Sequence, residues 1–124
     1  MKVRIAGNSI RFRLKQSEVK HFQETGEISE IVRFGISTAD QLSFTLQTFT
    51  ANSFQILYQC NAVVVLIPQS ISNEWAATEQ VGFDATVDTG KGEAIYILVE
   101  KDFKCLDRND IEDEDAYPNP NMHC

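Results

Sequence analysis

The sequence predicts a mostly β, α+β domain: two tandem copies of a strand–strand–helix–strand–strand (ββαββ) unit, with two short helices in all. Three observations carry that expectation. Laying residues 1–50 over residues 54–103 at a constant offset of 53 needs no gap and superimposes four identities, Asn8/Asn61, Gln16/Gln69, Ser17/Ser70 and Thr25/Thr78. The same overlay aligns ten apolar pairs: Val3/Ile56, Ile10/Val63, Phe12/Val65, Leu14/Ile67, Phe22/Trp75, Ile28/Val81, Phe34/Val87, Leu42/Ile95, Phe44/Ile97 and Leu46/Val99. Within each copy the apolar period is two, apart from one interval of helical spacing. A tandem duplication implies one compact, pseudo-twofold body, with residues 1–124 as a single domain: copy one at 1–50, copy two at 54–103, and an irregular acidic tail at 104–124.

In copy one, Val3 and Ile5, then Ile10, Phe12 and Leu14, alternate with polar residues, as half-buried strands do. Gly7-Asn8-Ser9 between them is turn chemistry. Val19 and Phe22 share one helical face within residues 16–25, and Gly26 follows as a C-terminal glycine. Ile28, Glu30, Val32 and Phe34 then alternate onto one face, a turn occupies residues 35–40, and Leu42, Phe44 and Leu46 close the unit. Copy two repeats the order. Ile56 and Tyr58 lead to a Cys60-Asn61 turn and to Val63, Val65 and Ile67. Pro68 opens the second helix, where its missing N–H costs nothing, and Ile71 and Trp75 form the helix stripe. A strand over 81–87, a Gly90-Lys91-Gly92 turn and the run Ile95-Tyr96-Ile97-Leu98-Val99 follow. That last run is apolar on both faces, which places it centrally in a sheet or under the tail.

A chain of 124 residues buries a core without staples. It has no apolar run long enough to span a bilayer, and Met1-Lys2-Val3-Arg4-Ile5 lacks the apolar centre of a signal peptide. A cytoplasmic location is therefore expected. Three cysteines at wide spacing make a poor disulfide framework. The net charge of −7 opposes indiscriminate binding to nucleic acid or anionic lipid. Its distribution is uneven: copy one is net +2, copy two net −5 and the tail net −4.

The stretch Arg4-Ile5-Ala6-Gly7-Asn8-Ser9-Ile10-Arg11-Phe12-Arg13-Leu14-Lys15 resembles the AbrB/MazE-like (SpoVT–AbrB) swapped-hairpin domain. The chain also looks like a small bacterial family without an assigned activity, in its N-terminal string and in Val99-Glu100-Lys101-Asp102-Phe103. The first resemblance implies a barrel closed by two interleaved copies, here fused in one chain. It further implies DNA binding, as a transcriptional regulator or antitoxin, through Arg4, Asn8, Ser9, Arg11 and Arg13 around the turn. Copy two departs from the pattern at Cys60, Ala62 and Leu66, which stand where copy one has Gly7, Ser9 and Arg13. The bland reading of Arg4, Arg11 and Arg13 is an exposed strand face that pairs with the acidic tail or with Glu30.

Cys105, His123 and Cys124 form the candidate metal set, because thiolates and imidazole suit Zn²⁺. Their spacing matches no zinc finger. The acidic run from Asp107 to Asp115 fails the EF-hand template at Ile111, Glu112 and Pro118, which leaves a solvated tail or a mask over the basic face of copy one. Gly90-Lys91-Gly92 lacks the rest of a phosphate loop, and His21 and His123 are the only histidines. The expectation is a non-enzymatic binding protein that needs no cofactor and no membrane, existing as a monomer or weak homodimer. Its partner is DNA in the leading reading. In the alternatives it is a protein docked on an apolar patch or open edge near residues 49–54, or a metal ion.

Overall fold

The structure, a computed structural model, describes residues 1–103. The described chain runs β1 (Lys2–Ala6), β2 (Ser9–Leu14), α1 (Gln16–Thr25), β3 (Glu27–Arg33), β4 (Gln41–Phe49), β5 (Gln55–Gln59), β6 (Ala62–Pro68), α2 (Gln69–Ala77), β7 (Gly82–Gly90) and β8 (Glu93–Lys101), with one 3-10 turn at Thr38–Asp40. The α+β class and the two short helices are as the periodicity implies.

Turn chemistry sets the hairpins. Cys60 and Asn61 both take positive φ, 52° and 61°, and the two-residue loop they form closes β5 onto β6 in the twist-matched type I′ manner. Gly26 takes φ 81°, ends α1, and donates its N–H to the Phe22 carbonyl at 2.8 Å. Glu18 accepts from the Lys15 backbone N–H at 2.8 Å, the returning half of a capping box.

The strands form two open four-stranded sheets, ordered β1-β2-β8-β7 and β3-β4-β6-β5. Among the described residues the strands close no barrel: each sheet ends in two edge strands, and the layers meet through side chains. Each sheet joins one hairpin from the first half to one from the second, along a central parallel pair. In that pair β2 runs beside β8 with Ser9 opposite Tyr96, and β4 beside β6 with Ser43 opposite Ala62. These registers coincide under the offset of 53, as do Lys2 opposite Arg13 and Gln55 opposite Leu66. β8, apolar on both faces, lies inside its sheet.

The ungapped overlay fails at β7. Ile28 pairs with Leu46 in β3–β4, but the partner of Val99 in β7–β8 is Phe83, not Val81. The connection from α2 to β7 is longer than the single Gly26, and the Gly90-Lys91-Gly92 turn is shorter than the connection it matches, so β7 slips by two residues and recovers. An even slip keeps each side chain on its face. The consequence is that Val81 is exposed while Phe83 enters the core.

That core lies between the inward faces. Phe12, Leu14, Leu46, Val65, Ile67, Ile97 and Val99 are fully buried there, with Phe22 of α1 and Trp75 of α2. Trp75 stands edge-on to Phe83 at 5.2 Å and 86°, and its indole N–H donates to the Val81 carbonyl at 3.0 Å. Phe54 stacks tilted on Phe83 at 5.9 Å, and both Phe49 and Phe54 are half-buried.

Candidate functional site

The β1–β2 hairpin sets Arg4 directly opposite Arg11 and Lys2 opposite Arg13. Val3 and Phe12 point to the core, so strand alternation sends all four cations to the outer face, where they line one shallow depression. Like charges on facing strands need neutralising, and β8 supplies the acid. Arg13 Nε donates to Glu100 Oε1 at 2.8 Å, and Arg11 Nε lies 3.5 Å from the same oxygen. Lys2 reaches Asp102 at 3.0 Å and holds that carboxyl below the usual range. Arg4 is engaged as well. Further along the face the Tyr96 hydroxyl donates to Asp84 at 2.8 Å, a bond that raises the phenol above its ordinary value.

Asn8 and Ser9 serve the hairpin itself. The Asn8 amide donates to the Ala94 carbonyl at 2.5 Å, and the Ser9 hydroxyl to the Ala6 carbonyl at 2.6 Å. The structure thus gathers Arg4, Arg11 and Arg13 on one face, adds Lys2, and occupies Asn8 and Ser9 locally. Strand alternation alone places Lys2 on this face. Glu100 is 87 residues from Arg13, and only sheet pairing brings it there.

The other sheet's outer face has a different character. At the offset positions of Lys2, Arg4, Arg11 and Arg13 it carries Gln55, Leu57, Val64 and Leu66. Ile31 and Leu57 are exposed, and the β3–β4 loop projects Phe34 at 73% exposure and Ile36 fully exposed. Phe34 therefore leaves the core-facing row its spacing suggests, because β3 ends at Arg33. The loop is nonetheless held. Phe34 N–H donates to the Asp40 carbonyl at 2.8 Å, the Ser37 hydroxyl accepts from Ala39 N–H at 3.2 Å, and Asn61 donates to the Ala39 carbonyl at 3.2 Å. A Cβ on Gly35 would stand 2.5 Å from Asp40 Oδ2, so any other residue there needs the Asp40 side chain to shift. A run of Ile, Val, Phe and Ile across residues 31–36 is the signal that could have marked this loop.

A groove of about 550 Å³ lies along α1 beside the end of β8, with Leu14, Val19, Ala76 and Phe103 among its lining. The candidate metal residues Cys105, His123 and Cys124, and the acidic run, lie outside the described residues. Cys60 is exposed at its turn. Among the described residues no three His, Cys, Asp or Glu side chains are grouped to hold a metal ion, and no helix is long and apolar enough to cross a membrane.

The chain belongs to a family of unknown function, DUF7009, whose family model matches residues 1–121. This agrees with the expected small family without assigned activity, and it brings no support for an AbrB/MazE relationship. Neither the curated proteins nor the solved structures give a match.

Proposed function

We propose that this protein is a non-enzymatic binding module that engages a protein partner through its β3–β4 loop. The observation that carries the reading is that Phe34 and Ile36 are exposed on a loop fixed by its own hydrogen bonds. Exposed aromatic and aliphatic side chains on a preorganised loop bind at low ordering cost, which is how interface anchors work. The equivalent turn of the other half, Gly90-Lys91-Gly92, has no apolar side chain, so nothing in the fold itself requires such residues there.

The test places a photo-reactive phenylalanine analogue at position 34 in cells that produce the protein, with Thr86 on the outer face of β7 as control. A discrete heavier adduct from position 34, absent from position 86 and lost on Ile36→Glu, supports the reading. No adduct at 34, or the same adduct from both positions, sinks it.

A second reading, an AbrB-like DNA-binding or antitoxin role on a duplicated swapped-hairpin frame, draws on the cation stripe and on the registers shared at offset 53. Against it stands the pairing of Arg11 and Arg13 with Glu100, since phosphate contacts need cations free to replace counterions. Anisotropy of labelled duplex DNA across a salt series separates the two. DNA binding that strengthens in Glu100→Gln, vanishes in Arg13→Ala and weakens with salt favours the second reading. No binding by wild type or Glu100→Gln at low salt ends it.

A further inference from the structure

Among the described residues the two sheets end in four edge strands, β1, β7, β3 and β5. An unpaired edge is a template for another strand, and proteins blunt such edges with charges, prolines or bulges. Two of the four are blunted, and a third carries charge. In the antiparallel register that overlaps a whole strand with its own copy, β1 sets Arg4 against Arg4. β7 sets Asp84 against Asp88 and carries a bulge between Asp88 and Gly90. β3 sets Glu30 against Glu30, each carboxylate already paired with its own Met1 ammonium at 2.6 Å, and Glu27 would there meet Arg33.

β5 has none of these devices. Its sequence, Gln55-Ile56-Leu57-Tyr58-Gln59, is uncharged and without proline or bulge, and it nearly reads the same in both directions. Leu57 is 50% exposed and Tyr58 68%.

Backbone parity fits as well. The two-residue Cys60-Asn61 loop makes Gln59 and Ala62 a hydrogen-bonded pair, so Leu57 and Gln55 also direct their backbone groups to β6. The N–H and C=O groups of Ile56 and Tyr58 therefore face outward. About a dyad at Leu57, Ile56 of one copy meets Tyr58 of the other and they exchange two hydrogen bonds, repeated by symmetry. Leu57 meets Leu57 on the outer face, and Gln55 meets Gln59.

We infer that β5 is a homodimerisation edge: two copies of this chain pair antiparallel through it into one continuous eight-stranded sheet. Charge selects the occupant. In a chain of net charge −7 this is the one edge where a second copy meets no like charge, and the apolar positions Leu57, Val64 and Leu66 then run on across the dyad. Arg4 at the offset position of Leu57 withholds the same pairing from β1. The Asn61 turn after β5 touches the β3–β4 loop at Ala39, but the pairing strand residues Gln55–Gln59 are not part of that loop, and the inference stands apart from the partner reading.

The experiment is sedimentation velocity of the full chain over a concentration series, with hydrogen exchange on the same samples. The expected result is a reversible monomer–dimer equilibrium, with Ile56 and Tyr58 amides gaining protection as concentration rises. Leu57→Lys, which places two ammonium groups on the dyad, weakens dimerisation at least about tenfold. Tyr58→Pro removes an outward N–H that the β5–β6 ladder does not use, and weakens it likewise while the circular dichroism stays native. A wild-type chain that stays monomeric at the highest concentration overturns the inference, whether or not another protein's strand uses the edge. So does a dimer that survives both substitutions.

Discussion

Replacing Trp75 tests the core on which both sheets rest. The side chain is fully buried, stands edge-on to Phe83 at 5.2 Å and has Lys101 Nζ 5.8 Å above its ring. An aromatic side chain of this class buries about 150–250 Å², which at about 25 cal/mol per Å² is about 4–6 kcal/mol of transfer free energy. Alanine returns roughly half a kcal/mol as the better helix former, so Trp75→Ala should cost about 3–5 kcal/mol. Trp75→Phe is the sharper comparison. It deletes the indole N–H, but the Val81 carbonyl still accepts from Lys101 N–H at 2.9 Å, so no acceptor is orphaned. Only lost volume and one redundant hydrogen bond remain, about 1–2 kcal/mol. Equilibrium urea unfolding read by far-UV circular dichroism gives both numbers; fluorescence does not serve, because Trp75 is the sole tryptophan. A Trp75→Ala cost below about 1.5 kcal/mol at unchanged m-value would refute the anchor role. A Trp75→Phe cost equal to that of alanine would refute the claim that Val81 keeps a partner.

Gly82→Ala should destabilise by about 1–3 kcal/mol, because its Cβ would stand 2.6 Å from the Val99 carbonyl oxygen, where only a shift of β7 makes room; the urea midpoint reads it. The Lys2 ammonium lowers the folded-state pKa of Asp102, so this pair's contribution is present above the carboxyl's ordinary value and is lost as pH falls through the depressed one. Asp102→Asn should therefore cost stability at pH 7 and flatten the acid side of the stability–pH curve, measured as urea midpoints from neutral to acidic pH. Arg4→Leu makes the β1 edge chemically similar to β5; if β5 pairs copies, sedimentation of this variant should show species larger than the dimer, growing with concentration.

Much of the fold was legible because apolar spacing reports faces directly. Both helices, the eight strands and the inward rows through Phe12, Phe44, Val65 and Ile97 follow from periods of two and of helical spacing. What spacing does not report is which strands become neighbours. The resemblance to an interleaved barrel suggested closure, but the described strands form two separate sheets, and closure depends on strand tilt and stagger that no single strand encodes. The Phe34 error has a similar origin. Its alternation with Val32 is correct, yet β3 stops at Arg33, and the following loop bends to bring Phe34 N–H onto Asp40. At the basic face the cations were legible and their partners were not, since Glu100 arrives from the far end of the chain.

Hairpin exchange between the halves also explains the charge pattern. Along the sequence the first half is net basic and the second net acidic, which in two separately folded halves would leave one cationic and one anionic body. The topology prevents that. The basic β1–β2 hairpin shares its sheet with β7–β8, the hairpin that carries Asp84, Asp88, Glu93 and Glu100, so opposite charges meet across the parallel β2–β8 seam. The other sheet receives the uncharged β5–β6 hairpin and the β3–β4 hairpin, whose outer face has charge only at Glu27 and Arg33. Charge segregated by halves along the chain thus becomes charge segregated by sheets in the fold. One face is ionic and paired within itself, the other nearly uncharged, with polar side chains such as Ser29, Thr45 and Gln55 beside Ile31, Leu57, Val64 and Leu66. Arg4 and Leu57 occupy matching places on these two faces, and the β5 pairing inferred above rests on the difference between them. The surface chemistry of this protein is therefore a property of the pairing between halves, and charge-removing substitutions along the β2–β8 seam should alter the ionic face.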